Sequence, residues 1–402
     1  MRIVSKHPTT WNNQMIKRMN KEMVLNQVME SAPLSRADIV QQLGLNKGTV
    51  SSLVNELIEE DLIHESGTGE SSGGRRPVML LFNEHAGYAI GIDIGVNYIL
   101  GVVTNLAGGI VHEKLKKTRD LSVHQLTSLV SATIRYLMEQ VPPSKYGVIG
   151  IGIGVPGIVD TAGKVLIAPN LKWQDVDLKR IIEKEFQCPI FIENEANAGA
   201  YGEKRFGAGR NSHSMIYVSI GIGIGSGVIL NDELYRGSNG YSGENGHTTI
   251  IVDGKECTCG SRGCWEAYSS EFALLQSAEQ HEHLAGASLE DLITLADAGN
   301  PVALELFQTL GTYIGIGIAN LIKTYNPEQV IIGNRIRQAE HLIRSPIMEA
   351  VHSSSLPFQR AGLQINFSEL STYSAAAGVS AFAIEGFLKF SQRPLAGPGF
   401  PV

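Results

Sequence analysis

The chain of 402 residues is short of cysteine, tryptophan and charge. Its four cysteines are too few for a disulfide scaffold of this size. Charged residues make up only 18% of it, which argues against coiled coil and disorder. It lacks any uninterrupted apolar run approaching the roughly 18 residues of a membrane span, and residues 1–20 lack the apolar stretch of a signal peptide. A cytoplasmic protein without a membrane partner is expected. What is present is 43% hydrophobic residues and 44 glycines, a composition of buried strands and tight turns, at a length that suits two or three domains.

The net charge of −7 argues weakly against nucleic acid as a partner, but the average misleads. Residues 1–82 hold nine basic and nine acidic side chains, so the whole imbalance belongs to residues 83–402. Helical periodicity gives way to a Gly/Ser-rich stretch at 67–74, which marks two bodies. The expected division is a first body over 1–82, a linker over 83–87, a second body over 88–390 and a disordered tail over 391–402.

The first body reads as a winged helix-turn-helix. Ile16, Met19, Met23, Val24 and Val28 repeat at helical spacing up to about Glu30, before Pro33. Ser35 with Asp38 makes a capping signal for a second helix, and Gly44 supplies a turn. A third helix from Asn46 sets Val50, Leu53, Val54, Leu57 and Ile58 on one face, with Lys47, Thr49, Ser51, Ser52 and Asn55 on the other. Short polar side chains near a helix amino terminus suit a helix that reads base edges in a major groove. A strand over 62–65 and another over 77–82 predict a wing, whose Arg75 and Arg76 would meet phosphates or a minor groove. Arg36 and Asn46 complete the expected operator-DNA contacts.

The second body reads as two repeats of three strands, a helix, a strand and a helix, the order of a duplicated actin-like α/β fold with a ligand cleft between its lobes. Strand 88–95 opens the first repeat and strand 215–220, followed by a glycine turn over 221–227 and a strand over 228–230, opens the second. In such a fold both glycine turns would cradle the phosphates of a nucleotide and Asp93 would hold magnesium. His247, Cys257, Cys259 and Cys264 have the donor set of a tetrahedral zinc site. Four protein ligands leave no open position, so the zinc is expected to be structural. Asn194, Glu195, Glu244 and Glu266 would bind sugar hydroxyls, whereas Glu193 reads as a solvated residue at the start of a helix.

With these motifs together the chain resembles the ROK family of repressors and sugar kinases. The carriers are the winged helix, Ser71-Ser72-Gly73-Gly74-Arg75-Arg76-Pro77, Gly91-Ile92-Asp93-Ile94-Gly95, Val155-Pro156-Gly157, Ala168-Pro169-Asn170, the run from Glu193 to Asn197, Gly243-Glu244-x2-His247 and the cysteine loop. The resemblance implies a two-lobed actin-like (ribonuclease H-like, duplicated) domain, dimers or tetramers, and sugar contacts at Asn170, Asn194, Glu195, Glu244, His247 and Glu266. Within the family it runs to the xylose-operon repressor branch, which implies D-xylose or a related neutral sugar as inducer. Family kinases have Asp-x-Gly-Gly-Thr where this chain has Asp93-Ile94-Gly95-Val96-Asn97, and Gly-Thr-Gly where it has Gly221-Ile222-Gly223. Glu195 replaces their catalytic Asp, and Gly333-Asn334-Arg335 replaces a triple glycine. The expectation is a repressor without turnover, and the alternative is a sugar kinase that also binds DNA.

Overall fold

The computed structural model of the protein describes residues 13–68 and 77–389. The wing arginines Arg75 and Arg76 and the expected tail lie outside the described residues.

Three helices, α1 (Asn13–Ser31), α2 (Arg36–Leu43) and α3 (Lys47–Glu59), pack around Val24, Leu25, Val28, Ile39, Val50, Val54 and Leu57, all fully buried. Ser35 and Asp38 form the expected reciprocal cap of α2, the Ser35 Oγ accepting from the Asp38 N–H and the Asp38 carboxylate accepting from the Ser35 N–H. Gly44 closes α2 in the left-handed conformation. The wing is a three-stranded antiparallel sheet of β1 (Leu34–Ser35), β2 (Ile63–Thr68) and β3 (Val78–Phe82), with β3 in the centre.

The next lobe contains β4 (Tyr88–Ile94), β5 (Tyr98–Asn105), β6 (Ile110–Lys117), α4 (Val123–Glu139), β7 (Val148–Val155), a small sheet of β8 (Ile158–Val159), β9 (Val165–Ala168) and β10 (Trp173–Val176), then α5 (Leu178–Glu183) and β11 (Ile190–Asn194). The last lobe follows α6 (Glu195–Phe206) and holds β12 (Met215–Ile220), β13 (Ile224–Leu230), β14 (Glu233–Leu234), α7 (Glu266–Ser269), α8 (Glu271–Ala278), α9 (Leu289–Asp297), α10 (Pro301–Tyr325), β15 (Gln329–Gly333), α11 (Glu340–Ser354), α12 (Pro357–Arg360), β16 (Gln364–Phe367) and α13 (Ser374–Leu388).

The two main sheets run β6-β5-β4-β7-β11 and β14-β13-β12-β15-β16. Each has the same order and the same sense, antiparallel across its first three strands and parallel across the rest. The duplication expected from the sequence is therefore a matter of topology. Helix α10 is long and apolar enough to cross a membrane, but its buried residues, among them Phe307, Leu310, Ile314 and Ile318, belong to the core of the last lobe.

One expected turn is a strand. The bend after β12 ends at Gly223, because β13 already pairs with β12 from Ile224. Gly227 lies under α6, where a Cβ would come within 2.4 Å of the Ala200 side chain, so a glycine that reads as a turn residue is a point of helix-on-strand approach.

Candidate functional site

On α3 the side chains of Lys47, Ser51, Ser52 and Asn55 are exposed, Thr49 is half-buried and the apolar stripe faces the core. Asn46 caps the helix, its Oδ1 accepting from the Thr49 N–H at 2.8 Å, so this part of its side chain serves the fold. Arg36 donates to the Asn55 Oδ1 at 3.0 Å and to Glu65 on the wing at 2.9 Å. Asn55 thereby keeps its N–H groups for an acceptor outside the protein. Ser52 donates to Glu56 at 3.4 Å.

A cavity of about 510 Å³ opens between the lobes, and all six expected sugar residues line it: Asn170, Asn194, Glu195, Glu244, His247 and Glu266. Asn194 is fixed by its role as the cap of α6. Its Oδ1 accepts from the N–H groups of Ala196 and Asn197 at 2.9 and 3.0 Å, and its Nδ2 donates to the Gly157 carbonyl at 2.8 Å, which leaves one N–H for a ligand. Glu266 accepts from the Ile224 N–H through Oε2 at 2.9 Å, and its Oε1 lies 3.9 Å from the His247 Nδ1. Burial raises the Glu244 carboxyl above its ordinary range, with His247 opposing and Glu266 reinforcing the shift.

The ligand atoms of His247, Cys257, Cys259 and Cys264 all fall within 4.8 Å of one another. Cys257 Sγ is 3.5 Å from His247 Nδ1, and Cys259 Sγ is 3.7 Å from Cys264 Sγ. A tetrahedron with metal–sulfur bonds of about 2.3 Å and a metal–nitrogen bond of about 2.0 Å has S–S and S–N edges of roughly 3.8 and 3.5 Å, so the donors fit such an ion. With Nδ1 toward the sulfurs, the His247 Nε2 faces Glu244 at 4.0 Å, on the cavity side. His247 thus belongs to both the cluster and the cavity wall.

Other residues of the cavity lining are bonded to the chain itself. Tyr98 donates from its hydroxyl to the Asp93 Oδ2 at 2.7 Å. Its ring lies against Gly95, where a Cβ would sit 2.1 Å from it, so the expected phosphate turn is covered by an aromatic side chain. Asn334 donates to the Glu195 Oε1 at 2.9 Å and lies 3.0 Å from the Ser219 Oγ, which itself donates to Glu195 at 3.2 Å. Arg335 is held by Glu271 at 2.8 Å and Glu290 at 3.1 Å. Burial holds the Asp93 carboxyl well above its usual range, Glu195 adds to the rise, and the Tyr98 hydrogen bond opposes it. Burial likewise raises Glu195. Of the two oxygens of Asp93, for which the fold suggests a magnesium-holding role, Oδ2 accepts from the Tyr98 hydroxyl.

The reading of Glu193 as solvated is wrong. It lies in β11, one residue before its end, rather than facing solvent from a helix, is 8% exposed, and accepts from the Asn194 N–H at 3.0 Å, the Asn197 Nδ2 at 3.2 Å and the Arg236 Nε at 2.8 Å. Sequence reasoning also missed Tyr98, Ser219 and Arg236, none of which stands in a recognisable motif.

A two-lobed actin-like domain with a polar interlobe cavity, joined to a winged helix-turn-helix, defines a class of sugar-binding proteins with a DNA-binding head. The chain matches the ROK family over residues 89–385 and the MarR family over residues 23–76, and it belongs to the ROK family. It is 45% identical to the xylose repressor of Bacillus spizizenii over 373 residues, which are 93% of this chain and 97% of that protein. Among solved structures, a ROK family transcriptional regulator homologous to the E. coli MLC protein is similar at a TM-score of 0.80 and 28% identity, covering 94% of this chain and 98% of the other. A ROK family glucokinase from Streptomyces griseus in complex with glucose and AMPPNP is similar at a TM-score of 0.70 and 30% identity, covering 75% of this chain and all of the other.

Proposed function

We propose that the protein represses xylose-utilisation genes in the cytoplasm, binding a palindromic operator as a homodimer or larger homo-oligomer and leaving it when D-xylose enters the interlobe cavity. One observation carries this reading. Within a single cavity, Asn194, Glu244, His247 and Glu266 offer polar groups to a ligand, while the Tyr98 ring lies against the first glycine turn and Asn334 is bonded to Glu195. Phosphoryl transfer depends on positioned phosphates and a free base, and Glu195 is engaged by Ser219 and Asn334. The protein on this reading turns nothing over.

The ligand is a neutral sugar. Glu195, Glu244 and Glu266 surround it with acceptors, and the nearest cation, Arg335, is already neutralised by Glu271 and Glu290. A phosphate would add nearly two negative charges to such a site, where like charges repel strongly. Zinc at His247, Cys257, Cys259 and Cys264 would hold the loop that carries Glu244 and Glu266, without an open position for chemistry.

Release from DNA requires that xylose bind the DNA-incompetent state more tightly, by about 5.5 kcal/mol for a swing from 1:99 to 99:1. Linkage then makes operator DNA weaken xylose binding equally. The test is to titrate xylose with and without a duplex selected by the protein from a random pool. Equal affinities would end the reading of xylose as inducer. Sugar-dependent ADP release with xylose, glucose or N-acetylglucosamine would favour a kinase with a DNA-binding head.

A further inference from the structure

The recognition helix α3 closes part of its own carboxyl end, where the N–H groups of Glu60, Asp61 and Leu62 donate to the carbonyls of Glu56, Ile58 and Leu57 and Asp61 is left-handed. Its last turn carries no basic residue, and Glu56, Glu59 and Glu60 crowd the end where the helix dipole is negative. Lys21 of α1 answers part of this, lying 2.6 Å from Glu60. The next two carbonyls, of Glu59 and Glu60, are answered from the sugar-binding domain. Lys145 donates from Nζ to the Glu59 carbonyl at 2.5 Å, and Tyr146 donates from its hydroxyl to the Glu60 carbonyl at 2.9 Å.

Lys145 and Tyr146 stand just before β7. The Tyr146 N–H donates to the Ala86 carbonyl at 3.0 Å, and the Gly147 carbonyl accepts from the Tyr88 N–H at 2.9 Å, which ties the segment to the start of β4. The Tyr146 ring meets Phe387 of α13 edge-on at 4.8 Å, inside a core that joins Val24, Leu53 and Leu57 to Ile149 and Ile384 without a break. From there β7 runs between β4 and β11 for eight residues, roughly 26 Å at about 3.3 Å per residue, and leads to Gly157. The Gly157 carbonyl accepts the hydrogen bond from Asn194 in the sugar cavity. One central strand therefore has the recognition-helix cap at its head and a cavity residue at its foot.

We propose that Lys145 and Tyr146 are positioning residues of the recognition helix, and that β7 couples their grip on its carboxyl end to the state of the sugar cavity. The coupling part rests on the reading of the cavity as the inducer site. The capping part does not. A shift of Gly157 on ligand binding would pass along a strand hydrogen-bonded on both sides, which moves as a unit, and two of the donors at its head, the Lys145 ammonium and the Tyr146 hydroxyl, hold α3.

The test uses the full-length zinc-loaded protein, a duplex selected by the wild type from a random pool, and D-xylose. Lys145→Met should weaken duplex binding about tenfold and Tyr146→Phe about threefold, the scale of one lost charged and one lost neutral hydrogen bond. Xylose affinity of the DNA-free protein should stay within about twofold of wild type, and the factor by which xylose weakens duplex binding should shrink in both variants. Lys145→Arg, which keeps a cationic donor, should restore both readouts. Tyr146→Phe keeps the ring against Phe387 and so keeps the fold. Wild-type duplex affinity in Lys145→Met and Tyr146→Phe would overturn the proposal. So would a parallel loss of duplex binding, sugar binding and melting temperature, which marks a merely structural contact. A wild-type protein indifferent to xylose would strike the inducer reading alone, and the duplex affinities would still decide the capping.

Discussion

Glu193→Ala tests how the cavity is built. The carboxylate is 8% exposed and accepts three hydrogen bonds, from the Asn194 N–H, the Asn197 amide and Arg236. The Arg236 side chain is 39% exposed, so it rehydrates when its partner is lost, and that ion pair contributes roughly 0–1 kcal/mol. Of the other two donors the Asn197 amide is buried and the Asn194 N–H half-buried, and a buried donor left unmade costs about 1–3 kcal/mol. With the half-buried donor counted at the lower end, the sum is about 2–5 kcal/mol, equivalent to a fall in melting temperature of about 4–20 °C at roughly 2–4 °C per kcal/mol. Part of that loss falls on the cavity, because Asn194 owes its orientation to this strand end and to its cap on α6. Xylose affinity by calorimetry should drop about tenfold or more. Glu193→Gln should be milder, since its amide oxygen can still accept from Asn194 and Asn197 while its NH2 opposes the Arg236 donor. Unchanged melting and unchanged sugar affinity in Glu193→Ala would show that the three bonds carry no weight and that the reasoning from burial fails.

Other outcomes are expected. Elemental analysis should find about one zinc per chain in native protein, and Cys264→Ser should lose metal, stability and sugar affinity together, because His247 belongs to both the cluster and the cavity wall. Native protein free of zinc would refute this. Asp93 and Glu195 are held above their ordinary values, so the folded chain keeps protons that the unfolded chain releases, and their contribution to stability is present at acid pH and is lost as pH rises from about 4 through the raised values. Asp93→Asn, which can still accept from Tyr98, should therefore gain stability over wild type more at pH 8 than at pH 5 in denaturant melts, and an equal difference at both would exclude the carboxyl as the source. Asn55→Ala should change which duplexes are selected from a random pool, since its free N–H groups face outward while Arg36 holds its oxygen. An unchanged selection would remove Asn55 from base reading.

Local rules were legible in the sequence where the physics is local. The cap of Ser35 and Asp38, the left-handed Gly44 and the apolar stripe of α3 depend on residues three or four apart, and each stands as the pattern predicts. The donors His247, Cys257, Cys259 and Cys264 were visible because three of them share one short loop, and the six cavity residues because they stand in family motifs. The internal duplication showed in the recurring order of strands and glycine turns, but the turn itself was overextended, because Gly225 and Gly227 read as bends until α6 is seen to lie on them. Tyr98 and Ser219 carried no signal, and Glu193, though part of a motif, gave none of its burial. Their roles arise from partners such as Arg236, Asp93 and Glu195, which the folded chain brings beside them. Whether a carboxylate is solvated or is the buried anchor of a ligand cavity depends on what packs over it, and that covering comes from residues 5 to 43 positions away in the chain. Tertiary structure alone decided those contacts, because desolvation and hydrogen bonding are properties of neighbours in space.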